Sequence, residues 1–406
     1  MKRLLLFAAT TGYQIREFAN AAHRLDAGLT LATDRCHVLD DPWGDHAIPV
    51  KFYDIPASLA ALAGRRFDAV AAVGDQPAVL AAEAAAVLRL PFHPPAAARA
   101  CHDKHAARHR FQAAGMSVPR FFRVPLADSP EDAASRAPYP CVLKPLGLSG
   151  SRGVIRADSP AEFSSAFRRI KAMLEKTRDE HNQYLQVEAY IPGKEFAVEG
   201  IMTLGAPRIL ALFDKPDPLE GPFFEETIYV TPSRETAAQQ NAIRAAVEKA
   251  VCALGLYHGP FHAELRVNES GVWMLEVAAR PIGGLCARAL RFGEGMPVEE
   301  LILRHAIGED ISQLGLSLPA SGVMMIPIPR GGVYRDVAGL DEARAMQGIE
   351  DVVITAKVGQ LLVPLPEGAA YLGFIFARGP NPQDVERSLR AAHAALHFEI
   401  ATALPV

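Results

Sequence analysis

Apolar and polar positions alternate over the first hundred residues in a strand–helix rhythm. Residues 4–9 are an unbroken apolar run, residues 15–25 place apolar side chains at helical spacing, and residues 29–33 form a second short run. A third run, 67–73, ends at Gly74-Asp75 and precedes an Ala-rich helical stretch over 78–88. This succession predicts βαβ units, hence a parallel sheet with helices on both faces. Such sheets bind ligands outside the carboxyl ends of their strands. Thr10-Thr11-Gly12 and Gly74-Asp75-Gln76 fall at those ends, and each reads equally as a plain turn or as a substrate contact. No GxGxxG follows the first run, so a nicotinamide site there is not supported.

Three prolines within 91–95 mark a boundary. Asp103 then caps a predicted helix that Gly115 ends. Lys104 lies on it, with His102, His105 and His109 on or beside it; no carboxylate or Cys completes a metal set with these histidines. Residues 139–144 read as a buried strand ending in Lys144, whose charge needs a partner or a cleft. The following LGLSGSRGV, residues 146–154, is a Gly/Ser loop. Backbone N–H groups of such a loop wrap phosphate oxygens, and Ser149, Ser151 and Arg152 add donors. It lacks the GK[ST] of a Walker loop. A helix is expected over 160–176 and a polar linker over 178–183.

Residues 187–200, VEAYIPGKEFAVEG, read as a strand, a short linker at Pro192-Gly193 and a second strand. Glu188 and Glu195 flank the linker and can face one small polar ligand from two sides. The backbone of 189–191 is then left to hydrogen-bond a flat heterocycle. The same pattern is common in surface hairpins.

A Pro-rich loop over 214–222 carries Lys215 and leads through Glu226 into a strand closed by Pro232-Ser233. After an Ala-rich helix over 235–254, the runs 259–267 and 271–281 predict a hairpin that sets Glu264 opposite Glu276. Facing carboxylates repel unless a cation lies between them, and oxygen ligands suit Mg²⁺; the other reading is two solvated strand carboxylates. Arg280, just before Gly283-Gly284, is placed to hold a phosphate or carboxylate through two donors. Residues 285–308 read as helix. The remainder, from about 318, reads as a small α+β appendage: strands over 322–328, 352–355 and 369–377, a final helix over 382–398, and surface loops at 327–332 and 364–368.

Composition narrows the function classes. Of 406 residues 50% are hydrophobic and 22% charged, as in ordinary globular domains, and the net charge of −4 argues against a sequence-independent nucleic-acid binder. The five Cys (Cys36, Cys101, Cys141, Cys252, Cys286) are scattered without a CxxC, which suggests neither disulfides nor zinc and fits a reducing cytosol. Met1-Lys2-Arg3 opens like a signal peptide, but the apolar run after it is too short, so a buried strand is expected. No segment approaches the roughly 20 apolar residues of a membrane span.

Taken in order, Lys104, Lys144, the loop 149–153, the Glu188/Glu195 linker and the Glu264, Glu276, Arg280 set resemble the ATP-grasp superfamily over about residues 104–280. The resemblance implies an ATP-grasp fold of mixed α/β and α+β class. Its parts are an N-terminal parallel-sheet (pre-ATP-grasp) domain over 1–100, a two-lobed ATP-binding core over 101–310 with a smaller lobe at about 118–190, and a C-terminal α+β subdomain over 311–406. It also implies that Lys104 and Lys144 hold ATP phosphates under Ser149, Gly150, Ser151 and Gly153. Glu188 and the backbone of Tyr190 and Ile191 meet the adenine, Glu195 binds the ribose hydroxyls, and Glu264 and Glu276 hold one or two Mg²⁺, with Mn²⁺ as a substitute. The usual pattern has Asn two residues after the second metal Glu. Here that position is Ala278, so one metal ligand is missing.

That departure, within EVAARPIGG, together with His262, Lys215 and Glu226, is similar to the branch of L-amino acid ligases (dipeptide synthetases) and carnosine-synthase-like enzymes. The resemblance implies an ADP-forming carboxylate–amine ligase that works through an acyl phosphate and joins amino acids or amino-acid-like substrates. In it Glu226 meets a substrate amino group and Arg280 steadies the reacting carboxylate, with Lys215, His262, Gly283 and Gly284 around the substrate. The alternatives are a ligase of purine-biosynthesis or carboxylase type and a phosphotransferase that joins nothing. The expected partners are small molecules in the cytoplasm, with neither nucleic acid nor membrane. Homodimers are common in the superfamily.

Overall fold

The computed structural model describes residues 1–10, 12–34, 47–176, 183–317 and 319–402; Thr11, Cys36 and nearly all of the expected 178–183 linker lie outside them. Strands β1 (Arg3–Ala8), β2 (Gly28–Thr33), β3 (Ala47–Pro49) and β4 (Ala69–Val73) form the expected parallel sheet, in the order β3-β2-β1-β4. The apolar runs are continuous because both faces are covered. Leu5 and Phe7 pack with the Ala-rich helix Asp75–Leu88, whereas Leu4 and Leu6 pack with Phe18 and Ala21 of the helix Ile15–Arg24.

Strands β5 (Phe121–Pro125), β6 (Cys141–Pro145), β7 (Ile155–Ala157) and β8 (Tyr184–Ala189) make an antiparallel sheet ordered β5-β8-β6-β7. The helix Pro160–Leu174 covers it with Phe163, Phe167, Ile170 and Leu174, a buried stripe at helical spacing.

Strands β9 (Lys194–Thr203), β10 (Ala206–Lys215), β11 (Ile228–Thr231), β12 (Gly259–Asn268) and β13 (Gly271–Ala278) belong to the central sheet. A short pair, β14 (Arg291–Phe292) and β15 (Met296–Pro297), follows. The last segment adds β16 (Ala320–Ile326), β17 (Gly332–Ala338), β18 (Ile349–Ile354), β19 (Leu361–Leu362), β20 (Gly373–Gly379) and β21 (His397–Ala401). The central sheet runs β13-β12-β9-β10-β11-β16-β20-β18, so three C-terminal strands continue the core sheet, and β19-β17-β21 stand apart.

Strands β8 and β9 lie in different sheets. The 190–193 linker is therefore the joint between two lobes, and the surface-hairpin reading falls away.

Four expectations need correction. Residues 285–308 are not one helix: a 3-10 turn, Cys286–Ala289, and the β14–β15 pair precede a helix confined to Val298–Ala306. Gly293, Gly295 and Pro297 crowd poor helix formers into five positions. Asp214 and Lys215 end β10 instead of lying in a loop. β17, β19 and β21 were not anticipated. The final helix stops at Ala395, and the chain turns into β21. Among the described residues no helix is long and apolar enough to cross a membrane.

Candidate active site

The N-terminal sheet, the small lobe and the central sheet meet at a cavity of about 760 Å³. Nearly all of the residues singled out from sequence line it. Of those assigned by resemblance to ATP, metal or substrate, the exceptions are Gly153 and Lys215; His105 and His109 also lie outside the lining.

At one end stand the two lysines and the Gly-rich loop. Asp103 caps the helix Lys104–Ala113, accepting from the N–H groups of His105 and Ala106 at 2.8 and 3.0 Å. This cap aims Lys104 into the cavity, where its Nζ donates to Leu148 O (2.7 Å) and lies 3.4 Å from Glu276 Oε2. Lys144 on β6 reaches Glu188 Oε2 at 2.6 Å. Arg108, one turn beyond Lys104 and 1% exposed, donates to both Glu188 oxygens, and Gln186 donates to Oε1. Burial raises the Glu188 pKa, but Arg108 and Lys144 outweigh it and hold the carboxyl at about 2. Glu188 is thus a buried anion that fixes two cations.

Ser149, Gly150, Ser151 and Arg152 line the cavity. Gly153 does not: its N–H donates to Pro366 O at 2.9 Å and its Cα faces Pro145, where a Cβ would press on the ring. Among the described residues these histidines form no group of three metal-ligating side chains. His105 Nδ1 pairs with Gln186 Oε1 and its Nε2 with His109.

The joint between the lobes is more engaged than expected. The N–H groups of Ala189 and Tyr190 donate to Arg120 O and Pro140 O, and Ile191 O accepts from Arg266. Among the described residues Tyr190 C=O and Ile191 N–H have no hydrogen bond of this kind. The Tyr190 ring lies under the Arg156 guanidinium (4.2 Å) and stacks with Phe224. Glu195 binds Lys215 through Oε1 and Arg266 through Oε2, each at 2.9 Å.

At the other end β12 presents His262, Glu264 and Arg266 on one face, the period-two consequence of a strand. Glu264 is the direct cross-strand partner of Glu276. His262 pairs with Ala278, so the small residue there leaves room for the imidazole. Its Nδ1 meets Glu199 Oε1 at 2.5 Å and its Nε2 meets Glu264 Oε1 at 3.1 Å. Burial lowers the His262 pKa, yet the two carboxylates carry it up to about 9. Lys215, buried beneath the cavity, contacts Glu226, Glu195 and Glu264 at 2.5, 2.9 and 3.4 Å. Burial and the charge of Glu264 push Glu226 up to about 7, and its Oε2 accepts from Tyr229 Oη at 2.7 Å.

Arg280 donates from Nε and Nη2 to the two oxygens of Asp75, at the carboxyl end of β4. Glu199 Oε2 accepts from Ile282 N–H, and Gln14 Nε2 donates to Ile282 O, which pins the Gly283-Gly284 turn at the cavity wall.

A divalent cation fits one part of this set. Glu264 and Glu276 are paired, keep 21% and 26% side-chain exposure toward the cavity, and are hard oxygen donors. The tighter cluster Glu195, Glu226 and Glu264 does not need one, because the Lys215 ammonium contacts all three. Sequence reasoning missed Arg108, Glu199, Arg266 and the pairing of Asp75. The signal for Arg266 was the H-x-E-x-R alternation of β12; Arg108 sits one helical turn after Lys104.

A model of the ATP-grasp domain matches residues 137–289, and one of L-amino acid ligase C-terminal domain 2 matches 324–401. The chain contains an ATP-grasp domain and has an ATP-grasp fold. Over 99% of both chains this ATP-grasp protein superposes on an L-amino acid ligase from Bacillus licheniformis, with a TM-score of 0.85 and 26% identity. It is 23% identical to the uncharacterized protein y4rH of Sinorhizobium fredii over 77% of its own length and 64% of the relative. It is 27% identical to alanine–anticapsin ligase of Bacillus subtilis over 51% of its own length and 47% of the relative. The chain spans less than two thirds of either curated relative.

Proposed function

We propose that the protein is an ATP- and Mg²⁺-dependent carboxylate–amine ligase that joins two amino acids or amino-acid-like molecules. The observation that carries this is the pairing of Glu264 with Glu276 in a cavity that Lys104, Lys144 and Arg280 also line. The C-terminal match and the likeness to the Bacillus licheniformis enzyme favour amino acids over purine precursors.

In this reading a substrate carboxylate takes the terminal phosphoryl group of ATP, giving an acyl phosphate and ADP. The amine of the second substrate then attacks the acyl carbon and phosphate leaves. Adenine lies at the lobe joint, where Tyr190 C=O and Ile191 N–H offer an acceptor and a donor side by side. Lys104, Lys144 and the 149–152 backbone screen the phosphates. Glu264 and Glu276 would hold Mg²⁺, which neutralises phosphate charge when bound. Arg280, held by Asp75, faces the reacting group and stabilises charge developing there. Glu226 and Tyr229 receive a substrate amino group beside the Gly283-Gly284 turn. Arg108, Glu199 and Lys215 orient these groups without touching substrate.

The four cysteines among the described residues are free thiols, which agrees with a cytoplasmic protein. A homodimer is the proposed assembly, to be read by sedimentation equilibrium.

The deciding experiment is phosphate release from Mg-ATP across single and paired L-amino acids, with mass spectrometry of the products. The ligase reading expects phosphate only with pairs, together with a new amide mass. ADP formed with a phosphorylated acceptor and no free phosphate would replace it with a phosphotransferase.

A further inference from the structure

The 364–368 turn, expected from sequence to be a surface loop, touches two parts of the cavity at once. Gly368 N–H closes on Pro364 O at 3.0 Å, and a Cβ at Gly368 would overlap the Val363 carbonyl. The turn is therefore compact and depends on glycine. On one side it meets the Gly-rich loop. Pro366 O accepts from Gly153 N–H at 2.9 Å, and the Ala369 methyl lies 3.6 Å from where a Cβ at Gly150 would stand. Glu367 accepts from Arg169 Nε and Nη2 at 2.6 and 2.8 Å, and Arg169 belongs to the helix that backs the small lobe. On the other side Ala369 and Tyr371 line the cavity with Glu226, Cys286 and Met325. The Tyr371 ring packs edge-on against Phe374, which meets Tyr13 of the N-terminal domain in the same way.

We infer that the 364–371 segment is the latch that holds the Gly-rich loop closed over the phosphates, with Arg169 and Glu367 as positioning residues for that loop. Within the described residues the loop spans only 146–154, and Gly150, Ser151 and Gly153 all have positive φ. Its own backbone closes on itself at Val154 N–H to Ser151 O (3.1 Å) and Arg152 N–H to Ser149 O (3.5 Å), and Lys104 ties Leu148 O from the neighbouring helix, while Gly153 is held by the C-terminal turn. A C-terminal turn that also walls the substrate end makes the closed loop and the formed substrate pocket one unit. The chemical consequence rests on the ligase reading. With the loop ajar, water attacks the acyl carbon of the acyl phosphate and the bond from that carbon to the phosphate oxygen breaks. Phosphate departs, the carboxylate is regenerated, and one ATP is consumed without an amide.

The test uses full-length Glu367→Gln and Gly368→Ala, read by hydrogen exchange of the 146–154 amides with Mg-ADP present and by the ratio of ADP to amide in turnover. The first variant removes one exposed ion pair, so exchange over 146–154 should rise about two- to five-fold. Gly368→Ala should raise it further, while exchange over 197–201 in β9 stays unchanged and shows that the fold is intact. The ADP-to-amide ratio should climb in both. Arg169→Glu combined with Glu367→Arg should bring both readouts back toward the parent. Unchanged exchange over 146–154 in both variants overturns the latch, as does faster exchange with an unchanged ratio. If the parent makes no amide in any pairing, the ligase reading fails by itself and the exchange experiment still decides the latch.

Discussion

Arg280 and Asp75 lie 205 positions apart and form a two-point ion pair, Nε to Oδ1 at 2.9 Å and Nη2 to Oδ2 at 3.2 Å. The N-terminal sheet thereby orients the guanidinium that the proposed mechanism sets against the reacting group. Arg280→Ala should lower kcat on the order of 10²–10³. Asp75→Asn keeps the Arg280 charge and loses only its orientation, so it should cost about ten- to a hundredfold in kcat with nucleotide affinity preserved. Steady-state kinetics beside calorimetric ADP binding separates the two; a matching loss of ADP binding would contradict the positioning role.

Acid should attack the lobe joint. The folded pKa of Glu188 is depressed from 4.5 to about 2 and that of Asp75 from 3.8 to about 2. Their stabilisation is present above the unfolded values and is lost as pH falls from about 4.5 toward 2. Arg108→Met leaves Glu188 buried with only Lys144 as cation and should cost about 3–5 kcal/mol. Urea unfolding at pH 7 and pH 3.5 measures both; a variant as stable as the parent at pH 7 would refute the assignment.

His262 predicts the opposite slope. Its folded pKa is raised from 6.5 to about 9, so its stabilisation is full below pH 6.5 and is lost as pH rises through about 9. Denaturation midpoints should fall between pH 7 and 10 in the parent and fall less in His262→Gln. Equal slopes in both proteins would mean that the imidazole is not charged between Glu199 and Glu264.

Lys215 takes the place a metal would occupy among Glu195, Glu226 and Glu264, whose ligand oxygens lie within 4.8 Å of one another. Removing the ammonium in Lys215→Ala leaves three carboxylates with less to neutralise them. The variant should be less stable without divalent ions and should recover on adding Mn²⁺. Electron paramagnetic resonance titration should count one more bound Mn²⁺ per chain than in the parent. An unchanged count would show that the carboxylates relieve their repulsion by protonation instead.

The cross-strand pair gives a separate prediction for metal. Glu276→Gln and Glu264→Gln should each raise the Mg²⁺ concentration for half-maximal turnover by tenfold or more. A shift in maximal rate alone, at unchanged Mg²⁺ dependence, would place the cation elsewhere.

Much of this was legible in the chain. The βαβ rhythm of the first hundred residues, the capped helix that begins at Lys104, the β12–β13 register that pairs Glu264 with Glu276 and the two-strand frame around Pro192-Gly193 follow from hydrophobic period and turn residues. These are local properties, set within a few residues of where they act. The partners of the site residues were not legible, because Arg108 with Glu188, Glu199 with His262, and Asp75 with Arg280 join through a low-dielectric interior across 80, 63 and 205 positions. Nor could periodicity show that the C-terminal strands extend the central sheet, or that a Pro-Gly turn at 364–368 rests on the Gly-rich loop. By itself the sequence determined the βαβ opening, the capped helix and the β12–β13 hairpin, and named the candidate side chains that the cavity gathers. The tertiary structure alone decided which charges neutralise one another, because burial leaves each ionised group to find its partner wherever the packed elements bring one within reach.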